Sequence, residues 1–141
     1  MATLSIELEA TPNSDDVRAI YNGLSAYNRQ YATDDHYQPL VIVARDEAGR
    51  IAGGLAGETY WGWLHIDALW LDQAARGQDY GSQLLAMAEQ EAVRRGCRRC
   101  HLDTMSFQAQ PFYEKHGYTV WGVLEDLPEG HRRIFMKKDL R

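Results

Sequence analysis

Residues 69–85, with the sequence LWLDQAARGQDYGSQLL, decide the expected fold. The first of these residues are apolar and predict the end of a strand, and the last begin an amphipathic helix. The turn Arg76-Gly77-Gln78-Asp79-Tyr80-Gly81 lies between them. A helix N-terminus offers unpaired backbone N–H groups and the positive end of the helix dipole. The expected ligand of this turn is therefore an anion, most often a phosphate.

Composition limits the kind of protein that this chain can be. It has 141 residues, of which 45% are hydrophobic, and a net charge of −5. This length predicts one globular domain over residues 1–141. The acidic balance argues against nucleic-acid binding, and the lack of an apolar run of spanning length argues against membrane insertion. The N-terminal sequence MATLSIELEA does not resemble a secretion signal, so a cytoplasmic location is expected.

The order of predicted elements indicates a mixed sheet with helices on its faces. Alternation of Leu4, Ile6 and Leu8 predicts a strand over residues 3–10, and Ser14 is the expected cap of the helix that follows. Glycines 53, 54 and 57 indicate a second strand that bulges or allows close approach to its backbone. The strand–helix–strand unit 64–105 should have parallel strands and a right-handed crossover. The remaining expected elements are a strand over 40–45, a helix over 80–95, a short helix over 110–116 and a hairpin of strands 118–124 and 132–138.

Two common phosphate-binding turns do not fit this sequence. A dinucleotide-binding fold needs G-x-G-x-x-G after the first strand, whereas this turn has Gly77 and Gly81 and lies in the middle of the chain. A nucleoside-triphosphate loop needs a Gly-Lys-Ser/Thr sequence, and Gly81-Ser82-Gln83 lacks the lysine. The cysteines, Cys97 and Cys100, form a single pair, which is too few ligands for zinc, so no metal is expected.

Two separate segments of the chain carry motifs that point to one family. The first is Leu69-x-Leu71 followed by Arg76, Gly77, Gly81 and Leu84-Leu85, and the second is Ala109, Phe112-Tyr113-Glu114-Lys115 and Gly117-Tyr118. The first resembles the acyl-CoA signature [Q/R]-x-x-G-x-[G/A], and the second the A-x-x-[F/L]-Y-E-K-x-G-[F/Y] segment, of the GNAT superfamily of acetyl-CoA-dependent N-acetyltransferases, in its small single-domain bacterial form. The chain departs from the pattern at Asp79, which replaces a glycine, and at Ser106, where an asparagine is common.

The resemblance implies a fold and a co-substrate. The implied fold is of the α/β (α+β) class, with a mixed, mostly antiparallel central sheet, a splayed parallel strand pair and helices on both faces. The implied co-substrate is acetyl-CoA, with no metal. The residues implied to bind it are Leu69, Leu71, Arg76, Gly77, Gln78, Asp79, Tyr80, Gly81, Ser82, Ser106, Ala109, Phe112 and Tyr113.

The resemblance also assigns roles in acyl transfer. Tyr113 lies where relatives carry the tyrosine that protonates the departing sulfur, and the N–H of Leu71 is the expected oxyanion donor. Relatives place a base at one of two strand positions, which are His65 and Asp67 here. His65 is the better match by its intrinsic pKa, and Asp67 would orient it or a water, or attract an ammonium group. Glu58 on the preceding strand is a third candidate.

These features predict an enzyme that moves an acetyl group from acetyl-CoA to a primary amine by direct transfer. The carboxylates of Asp34, Asp35, Glu58 and Asp67 favour a small cationic acceptor, although a peptide or protein amine is also compatible. The alternatives are a non-catalytic acyl-CoA-binding sensor and an interaction module of the same fold. Resemblance to small bacterial relatives makes a homodimer a further expectation.

Overall fold

The computed structural model describes residues 3–141, which divide into a first unit ending at Asp34 and a second unit, Asp35–Arg141. The single domain expected over residues 1–141 stays a prediction. The first unit contains helix α1, Ser14–Asn28. The side chain of Asn13 caps it by accepting hydrogen bonds from the N–H groups of Asp15 and Asp16. The predicted cap at Ser14 is wrong by one residue, because the oxygen of Asn13 reaches the free N–H groups of the first turn.

The strand predicted over residues 3–10 is not formed. Within the described residues, these positions carry no strand assignment. Their alternation of apolar and polar side chains is typical of a strand, but a strand also needs a neighbour that completes its backbone hydrogen bonds. Alternation in the sequence does not supply that neighbour, and the prediction therefore fails at this segment.

The second unit is a six-stranded sheet with two helices, in the strand order β1-β2-β3-β4-β6-β5. Neighbouring strands are antiparallel except for β3 and β4, which are parallel as predicted. The mixed, mostly antiparallel fold class is confirmed. The elements are β1 Gln38–Arg45, β2 Ile51–Tyr60, β3 Trp63–Leu71, α2 Tyr80–Arg94, β4 Arg99–Met105, α3 Gln110–Lys115, β5 Thr119–Glu125 and β6 Arg132–Asp139.

Helix α2 packs against β1, β2 and β3 and forms one side of the core. It buries a stripe of residues at helical spacing, namely Leu84, Leu85, Ala88 and Ala92. The sheet contributes alternate side chains to the same core, among them Leu55, Leu64, Ile66 and Leu102. Arg95, at the end of α2, donates hydrogen bonds to the carbonyl of Gln38 and the hydroxyl of Thr59. These bonds connect the C-terminal end of the helix to β1 and β2.

A bulge in β3 depends on a glycine in β2. Ala56 pairs with Ala68 and Gly57 pairs with Ile66, so Asp67 is the extra residue of β3. A Cβ atom at Gly57 would lie 2.1 Å from the carbonyl oxygen of His65. Only glycine allows the two backbones to approach this closely. The close approach that the sequence predicted for this strand is therefore confirmed at Gly57.

The core also buries groups that titrate at alkaline pH. Cys97 and Cys100 are free thiols and are both buried. Burial raises the pKa of the Cys100 thiol to about 12. The hydroxyl of Tyr118 donates a hydrogen bond of 2.7 Å to Glu89, which Lys138 also contacts. Among residues 3–141, no helix combines the length and apolar character that crossing a bilayer requires.

Replacing Gly57 with alanine is expected to destabilise the protein. The added methyl group cannot avoid the His65 carbonyl without separating β2 from β3, so we expect a loss of about 3 kcal/mol in the free energy of unfolding. The matched control is Gly122→Ala in β5, where the nearest atom to a new Cβ is 3.9 Å away. Urea denaturation followed by circular dichroism measures both variants. Equal stability of the two would contradict the proposed close approach.

Stability is also expected to fall at alkaline pH. Since the folded-state pKa of Cys100 lies above its unfolded value, the unfolded chain loses this proton first as the pH rises. The stabilising contribution of the neutral thiol is complete below pH about 8.5 and is lost as the pH rises toward 12. Melting temperatures measured from pH 7 to pH 11 should therefore decline less steeply in Cys100→Ala than in the wild type. Parallel declines would show that this thiol is not responsible.

Candidate active site

The centre of the site is a gap between β3 and β4. The two strands pair from Trp63 with Arg99 to Ile66 with Leu102, and beyond these residues they separate. On its other edge β3 stays paired with β2, and the N–H of Asp72 donates to the carbonyl of Ala52 at 2.7 Å. Because backbone groups alternate in direction along an antiparallel ladder, the N–H of Leu71 faces the gap.

A cavity of about 800 Å³ occupies this gap. Its volume is within the range of small-molecule sites. Backbone and side chains from β3, α2, β4 and α3 surround it. The lining residues are Ile66, Asp67, Ala68, Leu69, Trp70, Leu71, Arg76, Gly81, Asp103, Thr104, Phe107, Gln108, Ala109, Phe112 and Tyr113.

The cavity brings together residues from both of the segments that carried the sequence resemblance. Eight of the predicted site residues line it: Asp67, Leu69, Leu71, Arg76, Gly81, Ala109, Phe112 and Tyr113. Seven others are not part of its lining: His65, Gly77, Gln78, Asp79, Tyr80, Ser82 and Ser106. Five of these seven form the turn and the first residues of α2, next to Arg76 and Gly81 in the chain.

The turn before α2 has a left-handed backbone at two residues. Gly77 has φ = 76° and Asp79 has φ = 70°. The side chain of Asp79 makes no capping hydrogen bond to the start of α2. A capping residue normally has extended dihedral angles, and the left-handed angles of Asp79 do not provide that geometry. The first helical bond runs from the N–H of Gln83 to the carbonyl of Asp79, as expected where the preceding N–H groups have no partner within the helix.

Two polar residues near the cavity are engaged in structural hydrogen bonds. Arg76 Nε donates to the carbonyl of Leu71 at 3.0 Å, which fixes the guanidinium beside the gap. Ser106 Oγ accepts the N–H of Arg132 at 3.0 Å, and its own N–H donates to the carbonyl of the same residue. The side chain at position 106 thus connects the end of β4 to β6.

Tyr113 is buried against the cavity. Its side chain lies on α3, where the residue is 6% exposed, and it packs edge-on against Phe112 and Tyr118. Burial, the largest cause, raises the pKa of Tyr113 to about 12, and the negative charge of Asp103 acts in the same direction. The phenol therefore keeps its proton at neutral pH.

The partner of His65 is Glu58. The two residues are direct neighbours in the β2–β3 register, and Oε1 of Glu58 lies 3.0 Å from Nδ1 of His65. Among the roles expected of Asp67 was the orientation of this histidine, because residues two apart on a strand share a face. The bulge at Asp67 interrupts that alternation. Asp67 lines the cavity instead, and Glu58 occupies the orienting position.

Comparison with known protein families identifies the family of this chain. The family model described as the Acetyltransferase (GNAT) family matches residues 4–118. The chain belongs to this family. It is an acetyltransferase, and the gap between β3 and β4 lies within the matched range.

Individual relatives agree with this assignment. The acetyltransferase Atu2258 of Agrobacterium fabrum is 35% identical over 135 residues, which cover 96% of this chain and 98% of the relative. The blasticidin-S acetyltransferase of Streptomyces morookaense is 42% identical over 107 residues, covering 73% and 79% of the two chains. A crystal structure of an acetyltransferase from Bacillus cereus superposes with a TM-score of 0.85 at 39% identity, covering 94% and 97%.

The candidate site of the acetyltransferase also contains two residues that were not predicted from the sequence. His101 on β4 is the register partner of His65, and the two rings stack with centroids 4.6 Å apart. Asp103 lines the cavity and accepts a hydrogen bond of 2.8 Å from Nε of Arg133. A signal for both residues was present in the sequence, because the parallel pairing of β3 with β4 was predicted and places His101 and Asp103 on the strand beside His65.

Replacing Asp79 with glycine is expected to stabilise the acetyltransferase. Glycine adopts φ = 70° without the steric cost that an L side chain meets, and Asp79 forms no capping bond that would be lost. We expect the free energy of unfolding to rise by about 0.5–1 kcal/mol, measured by urea denaturation. Asp79→Ala, which keeps the Cβ atom, is the matched control and should not show this gain. A loss of stability in Asp79→Gly would mean that the carboxylate makes a favourable interaction.

Proposed function

We propose that this acetyltransferase moves an acetyl group from acetyl-CoA to a primary amine of a small cationic acceptor by direct transfer. The observation that carries the proposal is the gap between β3 and β4, where both family-like segments meet in one cavity. Neither Cys97 nor Cys100 lines that cavity, so within the described chain no thiol is placed to carry an acetyl group.

The residues around the gap fit an extended ligand that ends in phosphates. The N–H of Leu71 faces the gap on the free edge of β3, and a free strand edge binds extended chains by backbone hydrogen bonds. A Cβ atom at Gly81 would lie 3.4 Å from the ring of Phe112 and would narrow the cavity. Glycine therefore keeps a space open between α2 and α3, as a narrow pantetheine arm requires.

The start of α2 suits the phosphate end of the co-substrate. The N–H groups of Tyr80, Gly81 and Ser82 precede the first intrahelical bond, which Gln83 donates. The helix is 15 residues long, so its dipole adds positive potential at this end. Arg76 contributes a full positive charge beside them. Asp79 opposes anion binding here, so we expect Asp79→Gly to bind coenzyme A as tightly as the wild type or more tightly.

Tyr113 is proposed as the general acid. When bound, acetyl-CoA supplies a reactive thioester and leaves as a thiol, which requires a proton. The phenol of Tyr113 lines the cavity and keeps its proton, because burial raises its pKa to about 12. A positioned phenol of this kind can donate its proton to a developing sulfur anion. The N–H of Leu71 is the proposed donor to the oxygen that gains negative charge.

His65 is proposed as the general base. Its Nδ1 is held by the carboxylate of Glu58, which leaves Nε2 as the nitrogen able to accept a proton. His65 lies one residue before Ile66, where the pairing of β3 with β4 ends. The base is thus next to the gap but outside the lining of the cavity. Asp67, which is exposed at the gap, is proposed to attract the ammonium form of the acceptor.

The charges of the cavity favour a cationic acceptor. Asp67 and Asp103 line it from β3 and β4, and Arg133 already pairs with Asp103. The carboxylate of Asp67 therefore offers a charge for an incoming ammonium group. The similarity to a relative named for the acetylation of blasticidin-S supports a small-molecule acceptor. Tyr60 and Trp63 beside His101 offer flat apolar surface for a further part of the acceptor.

A binding and turnover experiment tests this proposal. Acetyl-CoA and free coenzyme A should both raise the melting temperature, and coenzyme A release should depend on an amine from a panel of polyamines, aminoglycosides, amino acids and peptides. Stabilisation without release for any amine would favour an acyl-CoA sensor. If neither compound raises the melting temperature, the result would favour an interaction module and would contradict the proposal.

Substitution of the proposed acid gives a sharper test. Tyr113→Phe removes the donated proton and keeps the ring, so we expect kcat to fall about 100-fold with little change in the KM for acetyl-CoA. The matched control is Tyr118→Phe, which loses a hydrogen bond to Glu89 and so some stability, but should keep kcat within about twofold. Equal kcat values for Tyr113→Phe and the wild type would remove Tyr113 from the mechanism.

A further inference from the structure

A row of polar and aromatic side chains crosses the sheet just before the gap. Glu58 on β2, His65 on β3 and His101 on β4 are direct register neighbours, and Lys137 on β6 is the next partner in the row. Tyr60, two residues after Glu58 on β2, reaches across to His101. The proposed base therefore lies between a carboxylate on one side and a second imidazole on the other.

Each imidazole is held by a residue of β2. Glu58 Oε1 lies 3.0 Å from Nδ1 of His65, and Tyr60 Oη lies 3.2 Å from Nε2 of His101. The rings of His65 and His101 stack with centroids 4.6 Å apart and planes inclined by 26°. Trp63 packs edge-on against the ring of His101 at 5.5 Å, which restrains it further. Because the two rings are stacked, the orientation of one imidazole ring restricts the orientation of the other.

We propose that His101, held by Tyr60, is a positioning residue that fixes the ring plane of His65, while Glu58 fixes its tautomer. The inference rests on the proposed role of His65 as the base. Nδ1–H of His65 donates a hydrogen bond to the carboxylate of Glu58, so the unprotonated nitrogen is Nε2. The stacking contact with His101 prevents the His65 ring from rotating about its hydrogen bond to Glu58, because such a rotation would break the stacking. The base is then already oriented before the acceptor amine enters.

The charge state of His101 matters for this role. Burial, followed by the neighbouring His65, lowers the pKa of His101, whereas Glu58 and Asp103 act in the opposite direction. Lys137 is its register partner on β6 and adds a positive charge to the row. When His65 accepts a proton, its ring becomes positively charged. A neutral His101 ring stacked on it does not repel this charge, and the carboxylate of Glu58 beside it compensates the charge. Two charged rings in contact would repel each other.

The experiment compares two substitutions of the same residue. His101→Phe keeps a flat ring and removes both nitrogens, whereas His101→Ala removes the ring. If the ring positions the base, kcat should fall about tenfold in His101→Ala, with little change in either KM, and return to within about twofold of the wild type in His101→Phe. Loss of kcat to the same extent in both variants would overturn the proposal, as would unchanged kcat in His101→Ala.

A spectroscopic readout separates this proposal from the function on which it rests. In ¹⁵N-histidine-labelled protein without any ligand, His65 should show one tautomer with the proton on Nδ1. Glu58→Gln should produce a mixture of tautomers, and His101→Ala should shift and broaden the His65 signals, whereas His101→Phe should broaden them less. Identical His65 signals in the wild type and His101→Ala would overturn the positioning role. Absence of acetyl transfer by the wild type would overturn the proposed function and leave this readout intact.

Discussion

The close contact between Gly57 and the backbone of His65 is the constraint on which the site depends. It allows Asp67 to enter β3 as an extra residue, and a bulged strand bends away from its regular course. Beyond Ile66 and Leu102, β3 no longer pairs with β4. The free backbone edge of Leu71, the exposed carboxylate of Asp67 and the cavity between the strands all follow from this separation. One glycine in β2 thus shapes a binding site on the opposite edge of the neighbouring strand.

The two ends of the proposed proton transfer have different surroundings. Tyr113 lies in an apolar environment against Phe112 and Tyr118, which favours the protonated phenol. His65 lies in a polar row beside Glu58, where a positive charge on the ring would be compensated. The proposed acid is on α3 and the proposed base is on β3. The fold separates the donor and the acceptor of protons by placing them on different elements.

Much of the fold and part of the site could be predicted from local sequence. The glycine turn at Gly77, the helical stripe that ends near Ala92 and the segment around Tyr113 each depend on residues close in the chain. Seven of the predicted cofactor residues line the cavity, because the two family-like segments keep their spacing. The prediction of a strand over residues 3–10 was wrong, because the alternation of apolar and polar residues does not indicate whether a neighbouring strand is available for pairing. Of the roles expected of Asp67, the orientation of His65 falls to Glu58 instead, because a bulge changed the register.

The sequence by itself determined the family, the parallel unit around α2 and eight of the fifteen residues that line the cavity. Those features follow from patterns over a few tens of residues, where helical and strand periodicities are direct consequences of backbone geometry. Only the tertiary structure decided that Glu58, His65, His101 and Tyr60 form one group, and that Asp103 is engaged by Arg133. The reason is register: a shift of one residue between two strands changes every cross-strand neighbour, and the bulge that sets it depends on Gly57 and His65 meeting in space.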